Sequence, residues 1–206
     1  MKYYLSALIL ILALTNCSTK KNTNSTNTKH LSDTNLQDSL AFELCQLYGL
    51  DQGVRSPYDK GGTVSWPAIQ YADTIAFYKL MAFVKDNGFP HEELLGEHYK
   101  RECVQAAAAV VLLHNPHMLV NNKTYKDVFI NEVKKGNMQA DFLATVLDKY
   151  YWVKKANEHK VLYGSQFGMP CKDIKEETNM ARAEIGLAPL ADSLFKDCTT
   201  PFKDKL

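Results

Sequence analysis

The residues best suited to chemistry in this sequence lie where predicted helices end. Asp51, Gln52 and Arg55 follow the first apolar segment, and the spacing of four between Asp51 and Arg55 places both on one helix face. An acid, an amide and a cation presented together form a group that could bind a polar ligand. The alternative interpretation is an exposed helix ion pair, which contributes only a few tenths of a kcal/mol.

His114 ends the segment 102–114, which is apolar on nearly all sides and is therefore the predicted centre of the core. A histidine in that position is usually a core or capping residue bonded to a backbone carbonyl. The functional alternative is a general base at the mouth of a pocket. Pro116 separates His114 from His117, and no carboxylate stands at a regular offset, so we expect no metal and no cofactor.

Asp148 and Lys149 lie in the middle of a predicted helix, beside the aromatic run 150–152. Charged side chains facing solvent are the ordinary interpretation of such a pair. Asp148 nevertheless follows the apolar face of the helix closely enough to border the core.

The loop from Tyr163 to Gly168 contains two glycines, which let a backbone bend sharply or approach a ligand closely. Tyr163, Ser165 and Gln166 supply uncharged hydrogen-bonding groups, so the pattern predicts either a binding loop or a tight structural connection. The nucleophile pattern Gly-x-Ser-x-Gly is absent from the sequence. We therefore do not expect Ser165 to be catalytic.

Taken in chain order, these motifs resemble a family of uncharacterised bacterial proteins, often secreted, that is classed as a domain of unknown function. The motifs that carry the resemblance, over about residues 40 to 193, are Asp51-Gln52-x-x-Arg55, Asp73, Gly88-Phe89-Pro90 with Gly96, His114, Asp148-Lys149, Tyr163-Gly164-Ser165-Gln166-Phe167, and Arg182 before Gly186-Leu187-x-Pro189-Leu190. The resemblance implies a helical fold and a shared polar constellation, but no reaction. Lys149 stands where the family has arginine, and lysine cannot make the planar two-pronged contact of arginine.

Helical periodicity extends through nearly all of residues 36–206, which we expect to form one compact all-α (mainly α) domain of about six to eight helices. Leucines mark one face of the first helix, at Leu36, Leu40, Leu44 and Leu47. Further main helices are predicted at 66–87, 102–114, 124–135 with Thr124 as its N-cap, 138–156 and 174–185.

Four cysteines lie in this domain, an even number that permits two disulfides in an oxidising compartment. Cys45 and Cys103 lie within apolar helical patterns, so we expect them to be buried free thiols. Cys171 and Cys198 flank the C-terminal segment and are the better candidates for a disulfide.

Residues 1–16 have the pattern of a lipoprotein signal peptide, with a positive Lys2 and an apolar run over 5–14 that is too short to span a bilayer. Cys17 ends a sequence similar to a lipobox and is the predicted lipidation site; an uncleaved anchor or an incidental cysteine is the alternative. Residues 17–35 are almost free of apolar side chains and predict a disordered tether. We therefore expect a membrane-anchored lipoprotein of the bacterial cell envelope, facing the periplasm or the surface.

Charge is nearly balanced, with 24 Lys and Arg residues against 23 Asp and Glu residues. The sequence contains no basic patch of the kind that nucleic acids require, so we expect no nucleic-acid partner. The expected partners are the membrane, through the lipid anchor, and either a small-molecule ligand or a protein.

Two functions fit these residues. The first is a polar pocket that binds a small envelope molecule. If this pocket also hydrolyses the molecule, the catalytic candidates are His114, Asp51 and Asp148. Its ligand-binding candidates are Gln52, Arg55, Asp73, Lys149, Tyr163, Gln166 and Arg182. The second is an interaction or scaffolding lipoprotein whose polar motifs form an internal salt-bridge network. No nucleophile paired with a base is visible, so the sequence leaves open whether the protein is an enzyme.

Overall fold

The computed structural model describes residues 25–59, 61–152, 158–200 and 202; the predicted signal peptide and Cys17 lie outside them. The helices of the described part are α1 (Ser25–Gly53), α2 (Ser56–Asp59), α3 (Trp66–Asn87), α4 (Glu92–Leu95), α5 (Glu102–His114), α6 (Pro116–Val120), α7 (Lys123–Lys135), α8 (Ala140–Tyr151) and α9 (Lys175–Glu184). Short 3₁₀ helices cover Gly96–Lys100, Lys172–Ile174 and Asp192–Leu194. This architecture confirms the prediction of a single compact all-α domain.

The first helix, α1, continues the leucine pattern of the sequence, with Leu40, Leu44 and Leu47 buried in the core beside α5. It begins at Ser25, so residues 25–35 of the predicted tether form its first turns, and the earlier part of the tether lies outside the described residues. A packed helix extends without a second nucleation step, which lets a polar sequence continue it. Among the described helices, none is both long and apolar enough to cross a bilayer.

The fifth helix, α5, lies at the centre of the domain, as its apolar composition predicts. Val104, Ala107, Val111 and Leu112 have no exposed surface, and the helix packs against α1, α3 and α8. The C-terminal end of this buried helix carries His114 to the place where α1 and α3 meet it.

Local sequence signals set the ends of several helices. Gly88 (φ 88°) and Gly136 (φ 83°) follow α3 and α7 in a conformation that other residues rarely adopt, which confirms the predicted helix ends. Thr124 was predicted as the N-cap of α7, but the N-cap is Asn122. The side chain of Asn122 accepts a hydrogen bond from the amide of Tyr125. Asparagine caps a helix at least as well as threonine, and the helix therefore begins earlier, at Lys123.

Two disulfides cross-link the domain. The bond between Cys171 and Cys198 confirms the predicted pair and fastens the irregular C-terminal segment. A second bond joins Cys45 of α1 to Cys103 of α5, so the prediction of two free thiols is wrong. The apolar pattern of a helix indicates which face is buried, but not which helix packs against that face. Because α1 packs on α5, the Cα atoms of Cys45 and Cys103 lie 4.7 Å apart, within the range of a disulfide.

Candidate functional site

The structure brings five of the predicted site residues together where α1, α3 and α5 meet. They are Asp51, Gln52, Arg55, Asp73 and His114. Asp51 and Gln52 come from the last turn of α1, Asp73 from α3 and His114 from the end of α5. Three distant parts of the chain therefore contribute to one polar cluster.

A buried aspartate and a partly exposed histidine form the centre of this cluster, the Asp51–His114 dyad. Asp51 is fully buried, and Nδ1 of His114 lies 2.9 and 3.0 Å from its two carboxylate oxygens. An ionised carboxylate only accepts hydrogen bonds, so Nδ1 carries the proton and donates it. In the neutral ring Nε2 is then a free acceptor, without a partner among the described residues. The His114 side chain is 32% exposed, which opens the ring to solvent.

Gln52 completes the hydrogen bonding of the buried carboxylate. Its Nε2 atom donates to Oδ2 of Asp51 at 2.7 Å. Both oxygens of Asp51 therefore have donors, which offsets the loss of water around a buried charge.

Arg55 links the two aspartates of the cluster. Its Nη1 donates to the backbone carbonyl of Asp51 at 2.7 Å and lies 3.5 Å from Oδ2 of the same residue, so the two residues form an ion pair, although not the exposed helix pair considered as the alternative. Its Nη2 donates to both carboxylate oxygens of Asp73, at 2.7 and 2.8 Å. The guanidinium is thus committed to these groups and stiffens the cluster, rather than presenting a free cation to an anionic ligand.

Asn115 is a residue of this site that the sequence motifs did not indicate. It is buried, and its Nδ2 donates to the backbone carbonyls of Asp73 at 3.1 Å and Val111 at 2.9 Å. These bonds hold the end of α5 against α3, and so fix His114 relative to Asp73. The available signal was a polar side chain at a helix end, where free carbonyls need donors.

The cluster has a net charge of minus one when the histidine is neutral, because Asp51 and Asp73 oppose a single guanidinium, that of Arg55. A positive charge that the His114 ring gains during proton transfer lies beside Asp51 and cancels this excess.

Three residues of the cluster could also hold a metal ion. Asp51, Asp73 and His114 each offer a ligand atom, and these atoms lie within 4.8 Å of one another. The expectation of no metal rested on sequence offsets, which cannot find ligands from three separate helices. Arg55 already donates to both oxygens of Asp73, so a metal ion would share this carboxylate with a positively charged guanidinium.

Comparisons of this chain with protein-family models, with curated proteins and with solved structures found no match. The resemblance to an uncharacterised bacterial family therefore stays a prediction. The chemistry of the cluster has to follow from its own geometry and charges.

A second polar cluster surrounds Asp148 of α8. Oδ1 of this buried residue accepts hydrogen bonds from the backbone amides of Leu162 at 2.7 Å and Tyr163 at 2.8 Å, and Oδ2 accepts one from Ser165 at 2.9 Å. Burial raises the pKa of the Asp148 carboxyl, and these backbone bonds offset part of that shift. The carboxylate therefore fastens the following loop to α8.

Arg182 fastens the same loop from another side. Its Nη1 donates to the carbonyl of Tyr163 at 2.6 Å, and its Nε donates to the carbonyl of Ala188 at 2.7 Å. The Tyr163 side chain is buried, and burial raises the pKa of its hydroxyl, which stays protonated. Within the described contacts, Asp148, Tyr163 and Arg182 share no hydrogen bond or ion pair with the dyad.

Lys149 and Gln166, the remaining predicted ligand-binding residues, make other contacts. Nζ of Lys149 lies 5.1 Å from the ring centre of Trp152 and 5.4 Å from that of Phe167, where the aromatic faces stabilise its charge. Gln166 is exposed, and its side chain has no partner in the part of the chain that the structure describes. Neither residue is bonded to the dyad.

Proposed function

We propose that this chain is a lipid-anchored protein of the bacterial cell envelope in which the Asp51–His114 dyad acts as a general base on a small polar ligand. The proposed reaction is hydrolysis, with water as the attacking group. One observation carries the proposal: Nδ1 of His114 is bonded to a fully buried carboxylate, while Nε2 is free and the ring reaches solvent. This arrangement suits a histidine that removes a proton from water.

In the proposed reaction, Nε2 of His114 accepts a proton from water while the water oxygen attacks a carbonyl or phosphoryl centre. A bond forms to the water oxygen, and the bond to the leaving group breaks. The imidazolium then returns its proton to the leaving group, so the ring ends the cycle neutral. Asp51 orients the ring and lies beside the transient positive charge.

The rigidity of the cluster supports a catalytic role over that of a surface histidine. Gln52 and Arg55 hold Asp51, and the buried side chain of Asn115 holds the end of α5 that carries His114. A catalytic group contributes most when neighbouring bonds fix its position before the substrate arrives.

The envelope location is proposed from the signal-peptide pattern and Cys17, and the two disulfides support it, because disulfides persist mainly in oxidising compartments. A mass measurement on the chain purified from membranes tests this location. We expect loss of residues 1–16 and acyl chains on Cys17, and no acylation in Cys17→Ser. An intact mass without acyl chains would contradict the lipid anchor.

A substrate panel tests the proposed activity. The purified full chain, His114→Ala and Asp51→Asn are assayed for initial rates on chromogenic carboxylic esters, phosphate monoesters, phosphate diesters and amides. We expect the wild type to hydrolyse one of these classes, and His114→Ala to lower the rate by roughly 10²–10⁴-fold. Asp51→Asn should lower it by up to about 10⁴-fold, because an amide no longer sets the ring tautomer.

His117→Ala is the matched control for the panel. His117 is an exposed histidine of α6 whose ring has no hydrogen-bond partner among the described residues, so this variant should keep the wild-type rate. Equal rates for the wild type and a folded His114→Ala variant would show that the dyad is not the base. Activity that needs an added divalent metal would instead assign the chemistry to Asp51, Asp73 and His114 as metal ligands.

A second candidate function is a non-enzymatic interaction or scaffolding lipoprotein. The observation that favours it is the use of Asp148 and Arg182 to hold the fold together, as an internal network would. Trp66 and Tyr71 of α3, which are 68% and 71% exposed, would then belong to a contact surface. The absence of turnover across the panel, with both dyad variants melting far below the wild type, would favour this function.

A further inference from the structure

A cleft lies between the turn after α3, the middle of α5 and the turn between α7 and α8. Its volume is about 330 Å³, at the small end of the roughly 300–1,000 Å³ of small-molecule pockets, so it has room for one substituted ring. Gln105 lines the cleft and lies nine residues before His114 on α5. That spacing is about 13 Å along the helix and half a turn around it, so the cleft and the dyad face different directions.

Three partly buried aromatic side chains line the cleft, beside the smaller apolar surfaces of Pro90, Ala109 and Met138. The aromatic residues are Phe89, Tyr99 and Phe142. The rings of Phe89 and Phe142 lie 6.2 Å apart, and all three side chains pack against the core, which holds their faces in place. Fixed aromatic faces bind the apolar face of a ring at little cost in conformational entropy.

Polar side chains line the rest of the cleft. Gln105 and Gln139 are exposed there, and their side-chain amides have no hydrogen-bond partner among the described residues. The ring of His91 uses Nδ1 for a 2.7 Å contact with the carbonyl oxygen of Phe89, which leaves Nε2 for a ligand. Amides both donate and accept hydrogen bonds, as the hydroxyl and amide groups of a sugar do.

A buried glutamate fixes the polar wall of the cleft from behind. Glu132 is 2% exposed and accepts hydrogen bonds from the backbone amide of Phe89 and from Nδ2 of Asn137, each at 2.8 Å. The side-chain oxygen of Asn137 therefore stays available to a ligand. Of the described residues that line the cleft, none is Asp, Glu, Lys or Arg, so a charged ligand would lose water without gaining an ion partner.

We infer that this cleft binds a neutral six-membered sugar ring. The aromatic side chains pack against the ring face, and Gln105, Asn137 and Gln139 bond to its hydroxyl groups. The uncharged lining selects against a free amine or a phosphate on the same ring. This site is separate from the dyad, and its occupancy does not depend on the proposed hydrolysis.

A chemical-shift titration of the ¹⁵N-labelled full chain with N-acetylglucosamine tests the inference. We expect saturable shifts centred on the cleft, including the backbone signals of Gly136 and Gln139. Glucosamine has the same ring with a cationic amine, and should bind at least about tenfold more weakly because the cleft would desolvate its charge. Equal binding of glucosamine, or scattered shifts that never saturate, would overturn the inference.

Two exposed side chains allow a variant test that leaves the fold intact. Gln105→Ala and Gln139→Ala should each weaken N-acetylglucosamine binding about fivefold, the expected effect of one hydrogen bond. Gln70→Ala, at an exposed position of α3 outside the cleft, should bind like the wild type, and so should His114→Ala. Wild-type affinity in both cleft variants, or lost affinity in Gln70→Ala or His114→Ala, would overturn this site.

Discussion

Asp51, Glu132 and Asp148 are carboxylates buried in the same domain, and each accepts hydrogen bonds from a different set of donors. Asp51 bonds to an imidazole and an amide, Asp148 to three backbone amides, and Glu132 to a lysine, an amide and a backbone amide. Backbone amides keep their protons, so those bonds serve to fasten the chain. An imidazole exchanges its proton readily, which is why we place the chemistry at Asp51.

The pH dependence of stability should report on Glu132. Burial raises the pKa of this residue, but hydrogen bonds from Lys135, Asn137 and Phe89 outweigh burial and hold the pKa below its ordinary value of 4.5. Ionised Glu132 therefore stabilises the fold above pH 4.5, and this contribution disappears as the pH falls through the folded pKa. We expect Glu132→Gln to cost about 1–3 kcal/mol at neutral pH and to lose less stability than the wild type on acidification.

Urea unfolding from neutral to acidic pH measures this effect, with Glu93→Gln as the control. Glu93 is exposed and has no ionic partner among the described residues, so this variant should follow the wild-type curve. Parallel acid profiles for the wild type and Glu132→Gln would refute the role given to Glu132.

Gly164 is a position where both backbone conformation and space exclude a side chain. Its φ is +69°, and an added Cβ would lie 2.6 Å from Cδ1 of Leu190 and 3.2 Å from Cδ of Pro170. Gly136 also has a positive φ, of +83°, but nothing lies within 4 Å of its Cβ position. We expect Gly136→Ala to cost about 1 kcal/mol from the backbone alone, and Gly164→Ala about 2–4 kcal/mol because steric overlap is added.

Thermal and urea unfolding of the two alanine variants separate these contributions. Equal losses at Gly136 and Gly164 would mean that Leu190 and Pro170 move aside, and that the loop is less tightly packed than the structure shows.

At the scale of elements, the loop that follows α8 is held by a single side chain of that helix. Asp148→Ala would leave the buried amides of Leu162 and Tyr163 and the partly buried amide of Ser165 without acceptors. We expect the free energy of unfolding, measured in urea, to fall by at least about 3 kcal/mol, because each unsatisfied group costs about 1–3 kcal/mol. Hydrogen exchange at these three amides should become faster.

Asp141→Asn, at an exposed position of the same helix, is the control and should change stability by less than about 0.5 kcal/mol. Asp148→Asn keeps one acceptor oxygen and should be intermediate. Unchanged exchange at the three amides in Asp148→Ala would show that Arg182 and the packing of the loop hold these amides without the Asp148 carboxylate.

The two helix ends marked by glycine were predictable from the sequence, whereas contacts between helices were not. Gly88 and Gly136 end their helices through a local conformational preference, which a sequence displays directly. The bond between Cys45 and Cys103 and the contact of Glu132 with a distant backbone amide depend on which helix faces which. Periodicity identifies a buried face, but it carries no information about the partner of that face.

The same division holds for the candidate site. The spacing of Asp51 and Arg55 and the place of His114 at a helix end are local features, and the structure brings these residues together. Nothing in the sequence indicated that Asp148 belongs to a different cluster from Asp51 and His114. Its buried position depends on the loop that folds back over α8, a contact across 14 residues or more.

At the scale of the whole molecule, the disulfide between Cys45 and Cys103 closes the longer of the two disulfide-bonded segments, with a separation of 58 residues against 27 for Cys171 and Cys198. The double variant Cys45→Ala/Cys103→Ala should lose about 2–4 kcal/mol of stability, because the unfolded chain gains conformational freedom. Urea unfolding with and without dithiothreitol measures this loss.

The reductant should lower the wild-type midpoint by more than that of the double variant, which retains only the Cys171–Cys198 bond. If the oxidised wild type and the double variant unfold at the same urea concentration, the helix pair is held by packing alone.

The placement of the Cys45–Cys103 bond ties redox chemistry to the Asp51–His114 dyad. The bond joins α1 to α5, and these two helices supply the two members of the dyad. Two sites on one pair of helices can be energetically coupled, and such coupling is reciprocal. If oxidation of the cysteines tightens ligand binding at the dyad, a bound ligand must make the disulfide harder to reduce by the same factor. A thiol titration would then detect ligand binding without any assay of catalysis.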